Sequence, residues 1–164
     1  MSHCIIGIDN GLDGGLVTID HRGGIFDYIV MPTITMNKRM VDVQRVVDYV
    51  NSRKEKLGQV FVALEEPLHA AGSSQSLRSM SISFGQIYGA LSILGFYVKP
   101  IEVGAWQNRM LPRGPKGTTK VRALNRATEE WPEEKWIPVR CRTPHDGVVD
   151  AALIAKYYQK YHLP

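Results

Sequence analysis

The stretch CIIGIDNGLDGGLVTID, residues 4–20, decides the fold. Its first six residues are apolar up to a terminal acid and read as a buried strand ending at Asp9. GLVTID (15–20) and IFDYIV (25–30) are two more short runs, set apart by Gly-rich turns. Three such runs joined by tight turns predict an antiparallel meander. Further on, VFVAL (60–64) is fully apolar and bounded by acids and Pro67, as expected of a central parallel strand. YVKPIEV (97–103) supplies a fifth strand.

Helical periodicity covers the intervals. VDVQRVVDYVNSRKEKL (41–57) alternates apolar and charged residues at helical period. HAAGSSQS (69–76) is a Ser- and Gly-rich bend before an apolar-rich helix at about 77–94. GAWQNRML (104–111) reads as a short helix and PRGPKGTT (112–119) as a loop. Thr118 or Thr119 is placed to cap a helix that runs to about 131. A last helix opens at Thr143, with Thr143 as N-cap, Pro144 at its first position and Asp146 at its third. The expectation is an α/β fold: a five-stranded mixed sheet, three antiparallel strands then two parallel, with helices on both faces.

Composition agrees. At 164 residues, with 44% hydrophobic and 22% charged residues, the chain suits one soluble domain, 1–164, with a sizeable core. No uninterrupted apolar run approaches a membrane span. The start, MSHCIIGIDNG, lacks the basic and apolar regions of a signal peptide, so a cytoplasmic location is expected. Cys4 and Cys141 are isolated, which fits reduced thiols and neither a zinc pattern nor a disulfide framework.

Charge is unevenly spread. Between Lys99 and Arg126 lie seven basic residues and one acid, Glu102, a net of +6 against +4 for the whole chain. Arg140 and Arg142 extend this region toward the last helix. Clustered Lys and Arg point to a polyanion, of which nucleic acid is the common one.

The acids fall at telling places. Asp9 ends the first strand and Glu65 the fourth. If those strands are adjacent and parallel, both acids emerge beyond their carboxyl ends, where open α/β sheets bind ligands. Asp146 and Asp150, four residues apart, share one helix face. Each acid has an ordinary reading: Asp9 as a turn residue, Glu65 as a solvent-facing strand end, Asp146 as a cap partner. Asp150 is harder to set aside, because it lies past the first turn among Ala151, Ala152 and Ile154. A like-charge pair at this spacing is unfavourable unless a cation bridges it, either Arg or Lys, or a metal. Four acids on converging elements suit hard divalent ions such as Mg²⁺. Two ions ~4 Å apart activate water and stabilise the leaving oxygen of a phosphodiester. The residues therefore predict a metal-dependent enzyme acting on nucleic-acid phosphate; His145 beside the acids reads first as an exposed first-turn residue, with proton transfer or phosphate contact as the functional alternative.

Taken together and in this order, GIDNGLDGGL, VALEEP and HDGVVDAALIA resemble the RuvC-type Holliday junction resolvases of the RNase H-like superfamily. The resemblance runs from Cys4 to about Tyr158, and VGAWQNRMLPRGPKGTTKVRA looks like phage-type or related bacterial members. It implies an RNase H-like fold and a homodimer that binds four-way junctions. It also implies paired symmetric nicks made with two Mg²⁺ or Mn²⁺ ions per site. For a phage-encoded member the location would be the host cytoplasm. By position, Asp9, Glu65 and Asp150 match the family's metal-binding carboxylates. Many bacterial members place the fourth three residues before the last Asp, where this chain has Gly147. The four-residue spacing of fungal mitochondrial resolvases points to Asp146 instead, with His145 as the other candidate. Lys120 matches a basic residue near the family's active site. A second family lysine falls at Trp106, so its role passes to Lys116 or is absent. Leu68 lies near the place of an aromatic that inserts at the junction. With Lys116 and Lys120, Arg109, Arg113 and Arg122 complete the expected DNA contacts. The helix bearing SMSISFGQIYGALSILGF (79–96) would either pair with its copy in the dimer or lie fully buried.

Three alternatives compete. The same acids would serve a general RNase H-like nuclease acting on RNA–DNA hybrids or flaps. A non-catalytic DNA-binding module would keep the fold, although an intact acid set argues against it. GIDNGLDGGLVTID also resembles the first phosphate loop of actin-like sugar kinases and chaperone ATPases, but those need a second such loop and roughly twice the length.

Overall fold

A computed structural model of the chain describes residues 3–68 and 74–163. The elements are β1 (His3–Asp9), β2 (Gly15–Asp20), β3 (Ile25–Val30), β4 (Thr33–Thr35), β5 (Arg39–Val41), α1 (Val43–Leu57), β6 (Gln59–Glu65), α2 (Ser74–Ile93), β7 (Tyr97–Ile101), α3 (Val103–Met110), α4 (Thr119–Glu130) and α5 (Asp146–Tyr161). The main sheet runs β3-β2-β1-β6-β7, and β4 pairs β5 in a separate ribbon. β3, β2 and β1 are antiparallel; β1, β6 and β7 are parallel. The expected mixed sheet is thus present.

Alternation along the strands sorts side chains into two cores. Ile5, Val17, Ile19 and Ala63 pack with α3, α4 and α5, whereas Cys4, Ile6, Ile8, Val62 and Leu64 pack with α1 and α2. Asp9 and Glu65 share the odd-numbered face, toward α5. β1 and β6 pair with Ile8 opposite Leu64, so the two acids leave the sheet side by side.

α5 lies unusually close to β1. A Cβ on Gly7 would come within 2.0 Å of the Ala151 carbonyl oxygen and 2.7 Å of the Ala155 nitrogen. Glycine here permits main-chain contact between strand and helix. From Gly147 to Tyr158 most of α5 is buried, which is why a helix bearing acids at its start is apolar along its body.

Several boundaries differ from expectation. α1 begins at Val43, because Val41 pairs in the β4–β5 ribbon and Asp42 caps the helix by accepting from the Arg45 N–H. α2 begins at Ser74, earlier than expected; the rest of the Ser- and Gly-rich bend, 69–73, lies outside the described residues. Only Ser83, Ile87 and Leu91 of α2 are buried, so the helix covers the sheet with one narrow stripe and is not a fully buried core helix. No helix among the described residues is long and apolar enough to cross a membrane.

Candidate active site

The loop after β1 is built around its own first residue. Asp9 Oδ1 accepts from the Gly11 N–H at 3.1 Å, and the Asn10 amide donates to the Glu65 carbonyl at 2.6 Å. The second bond ties the ends of β1 and β6 together. Gly14 then forms an isolated bridge with Gly147 at the start of α5. A Cβ on Gly147 would lie 2.4 Å from both the Asp13 carbonyl oxygen and Gly14 Cα. No side chain fits at 147, and the acid in the first turn of α5 is Asp146.

α5 starts at Asp146, not Thr143. His145 is the N-cap in extended backbone, and its Nδ1 accepts from the Val148 N–H at 3.4 Å. The expected Thr143 cap is displaced because His145 already occupies the capping position. Thr118 is the N-cap of α4, but its hydroxyl donates to the Pro115 carbonyl at 2.7 Å and caps no helical N–H.

Electrostatically, the acids form one group. Asp9 is raised above the ordinary aspartate range mainly by burial, opposed by its bond from Gly11 and by His145. Glu65, 6% exposed, is pushed up to about 8 by burial and then by Asp9 and Asp150. The Trp106 indole opposes that shift by donating to Glu65 Oε1 at 2.8 Å. Asp150 is pushed up to about 7 by burial, then by Asp9 and Asp146, while Lys120 draws it down. Asp146 is different: it is exposed and bonded to Lys120 Nζ at 2.6 Å. Lys120 is thus the cation that offsets the like-charge pair on α5, and its own pKa rises through that bond.

Among the described residues no three His, Cys, Asp or Glu side chains stand together closely enough to hold an ion as they lie. The donor chemistry nevertheless fits one. Asp9, Glu65 and Asp150 are hard oxygen donors, and each carboxylate is disfavoured as an anion by burial and by its neighbours. A divalent cation would reverse that penalty.

Above the acids lies a cleft of about 1080 Å³ lined by Asp9, Asp146 and Asp150; Glu65 is buried and not part of its lining. Its cations are Lys38, Arg39, Arg78 and Lys120. Only Lys120 was expected there. Arg39 donates to Asp13 Oδ1 at 2.7 Å and to the Leu12 carbonyl at 2.8 Å, pinning the β4–β5 ribbon to the loop. The available signal for this group was the adjacent pair Lys38-Arg39 in a stretch without acids. The role of Trp106 has no local signal, because its partner Glu65 is 41 residues away in the chain.

The other expected DNA contacts divide. Arg113 and Lys116 are exposed on the 112–118 loop. Arg122 is half-buried and holds that loop, donating to the Pro112 carbonyl at 2.5 Å and to Thr118 Oγ1 at 3.2 Å. Arg109 stacks over the Tyr161 ring at 5.1 Å, at the opposite end of α5 from the acids. Leu68 is exposed just beyond β6 and outside the cleft lining.

No family model and no curated protein sequence matches the chain. Solved structures do. T. thermophilus RuvC in complex with a Holliday junction substrate is similar with a TM-score of 0.62 at 14% identity, over 97% of this chain and 96% of that one. A second Thermus thermophilus RuvC structure gives a TM-score of 0.51 at 14% identity, over 96% and 95%. With its β3-β2-β1-β6-β7 sheet and helices on both sides, the chain has the RuvC-type, RNase H-like fold.

Proposed function

We propose that this chain is a structure-selective DNA endonuclease that resolves four-way junctions by paired symmetric nicks, as a homodimer of single-domain 1–164 subunits. The observation that carries the reading is the convergence of Asp9, Glu65 and Asp150 below a cleft rimmed by Lys38, Arg39, Arg78 and Lys120. The likeness to a RuvC bound to a junction supports branched DNA as the substrate.

Asp9, Glu65, Asp150 and Asp146 would hold Mg²⁺ or Mn²⁺, two per site, which supply Lewis-acid stabilisation of charge on the phosphate and activation of water. The protein's own groups do the rest. Lys120, exposed at the mouth, holds a positive charge where a phosphate oxygen would lie. Trp106 fixes Glu65 Oε1. His145 Nε2 offers one proton donor beside the acids, while Nδ1 stays committed to capping α5. Arg113 and Lys116 extend the positive surface along the backbone of an arm, contributing affinity that falls with salt.

The face of α2 turned away from the sheet supports the dimer. Tyr88 and Ile93 are exposed on it, and Cβ atoms added at Gly85 and Gly89 would meet nothing. Such an apolar, small-residue surface suits a twofold contact.

The test is Mg²⁺-dependent cleavage of a synthetic four-way junction beside linear duplex, a flap and an RNA–DNA hybrid, with Asp9→Asn as control. Paired nicks in the junction alone, lost in Asp9→Asn while binding persists, are expected. Cutting of the hybrid or flap instead would move the function to a general RNase H-like nuclease. Tight junction binding without cutting would leave a binding module.

A further inference from the structure

We infer that the β4–β5 ribbon is a DNA wedge: Met36 enters an opened base step at the branch, and Lys38 beside it holds the flanking phosphate. The inference rests on the junction reading above and adds to it the element that opens the branch.

The ribbon is short and its tip is apolar. Ile34 pairs Met40 and Thr35 pairs Arg39, and the tip closes with the Met36 N–H donating to the Lys38 carbonyl at 3.2 Å. Met36 is 73% exposed and Ile34 46%. Nothing in the core explains either residue, because the ribbon stands outside the main sheet. An unbranched thioether side chain adapts to irregular gaps. Methionine is among the apolar residues that proteins insert between base steps.

Its root is rigid. Arg39 bonds Asp13, Leu12 and, at 3.3 Å, Thr33 Oγ1. The Met31 N–H donates to the Gly14 carbonyl at 3.0 Å, and the Asp42 N–H to the Pro32 carbonyl at 2.9 Å. The loop so gripped is the one that begins at Asp9. Ribbon and carboxylates therefore form one body, and a side chain inserted at the tip would set the strand's register over the acids.

Charge selects the occupant. Residues 31–41 carry Lys38 and Arg39 and no acid. Both cations line the same cleft as Asp9, Asp146 and Asp150. A wedge flanked by cations and continuous with a phosphate-cleaving cleft fits DNA better than an apolar protein surface. Met36 and Leu68 both lie outside that lining, but Met36 shares its ribbon with Lys38 and Arg39, which belong to it, so the wedge role falls to Met36.

The experiment places 2-aminopurine at the branch point of a four-way junction and records its fluorescence on binding in Ca²⁺, then cleavage in Mg²⁺. Wild type should brighten the probe. Met36→Ala should lose most of that signal and cut the junction about tenfold more slowly, the weight of one inserted side chain. Its melting temperature and affinity for linear duplex should be unchanged. Met36→Leu should restore both signals, and Lys38→Ala should weaken junction binding with less salt dependence. Full brightening and cleavage by Met36→Ala would overturn the wedge while leaving the nuclease reading intact. A wild-type protein that neither binds nor cuts the junction would overturn both.

Discussion

Replacing Glu65 by Gln keeps the shape of the side chain and the oxygen that accepts from Trp106, and removes only the charge. The native carboxyl is pushed up to about 8 by burial and then by Asp9, against 4.5 for an exposed glutamate. Between those values the folded protein keeps a proton that the unfolded chain has released. Stability from this group is therefore present at low pH and is lost as pH rises from about 4.5 through about 8. At about 1.36 kcal/mol per pH unit, the interval bounds the loss at about 5 kcal/mol. Half of that would lower the melting temperature by about 5–10 °C in a chain of this size. In EDTA, Glu65→Gln should melt above wild type at pH 9 and at or below it at pH 5, where Glu65 is already neutral. Adding Mg²⁺ at pH 9 should recover wild type and leave the variant nearly unmoved. Scanning calorimetry across that range measures the difference curve. A variant destabilised equally at both pH values would refute the reasoning, because Glu65 would then matter for packing and not for charge.

Three further outcomes follow from the same geometry. Trp106→Phe removes a hydrogen bond to a charged group worth about 1.5–3 kcal/mol. It should move the acid limb of the pH–rate profile upward by about one unit or more, with activity recovered at higher pH. Gly7→Ala should cost at least about 3 kcal/mol in urea unfolding, since the new Cβ meets main-chain atoms of Ala151 and Ala155 that cannot step aside. Lys120→Met should leave stability within about 1 kcal/mol, because the pair with Asp146 is 77% and 53% exposed, yet reduce the salt dependence of junction binding by about one phosphate contact.

The central strands and α5 were legible because burial on both faces demands unbroken apolar runs such as CIIGI and VFVAL, and because Gly147 and Asp150 stand out in an apolar helix. Asp9 and Glu65 could be paired in advance, since parallel neighbours must end together. The ribbon could not be read: its three-residue strands alternate Thr, Ile, Arg and Met with no run long enough to register. Its attachment to the loop after β1 runs through Arg39 reaching Asp13, 26 residues away. Nor does a basic cluster in sequence reveal which charges are already engaged. Arg126 is bonded to Glu129 and Glu130, Arg122 to its own loop, and Arg109 to an aromatic ring far from the acids. The capping of α5 by His145 in place of Thr143 was equally hidden, because both residue types can accept from a first-turn N–H and only the backbone path distinguishes them.

The contacts of Gly14 with Gly147 and of Gly7 with Ala151 work as a caliper made of main chain alone. The span between the strand acids and the helix acid is gauged without any side chain in between, so drift in the surrounding residues leaves it untouched. Farther out, Arg113 and Lys116 sit on an exposed loop with no such restraint. That loop can be exchanged, by a lineage or an engineer, without recalibrating the acids beneath it.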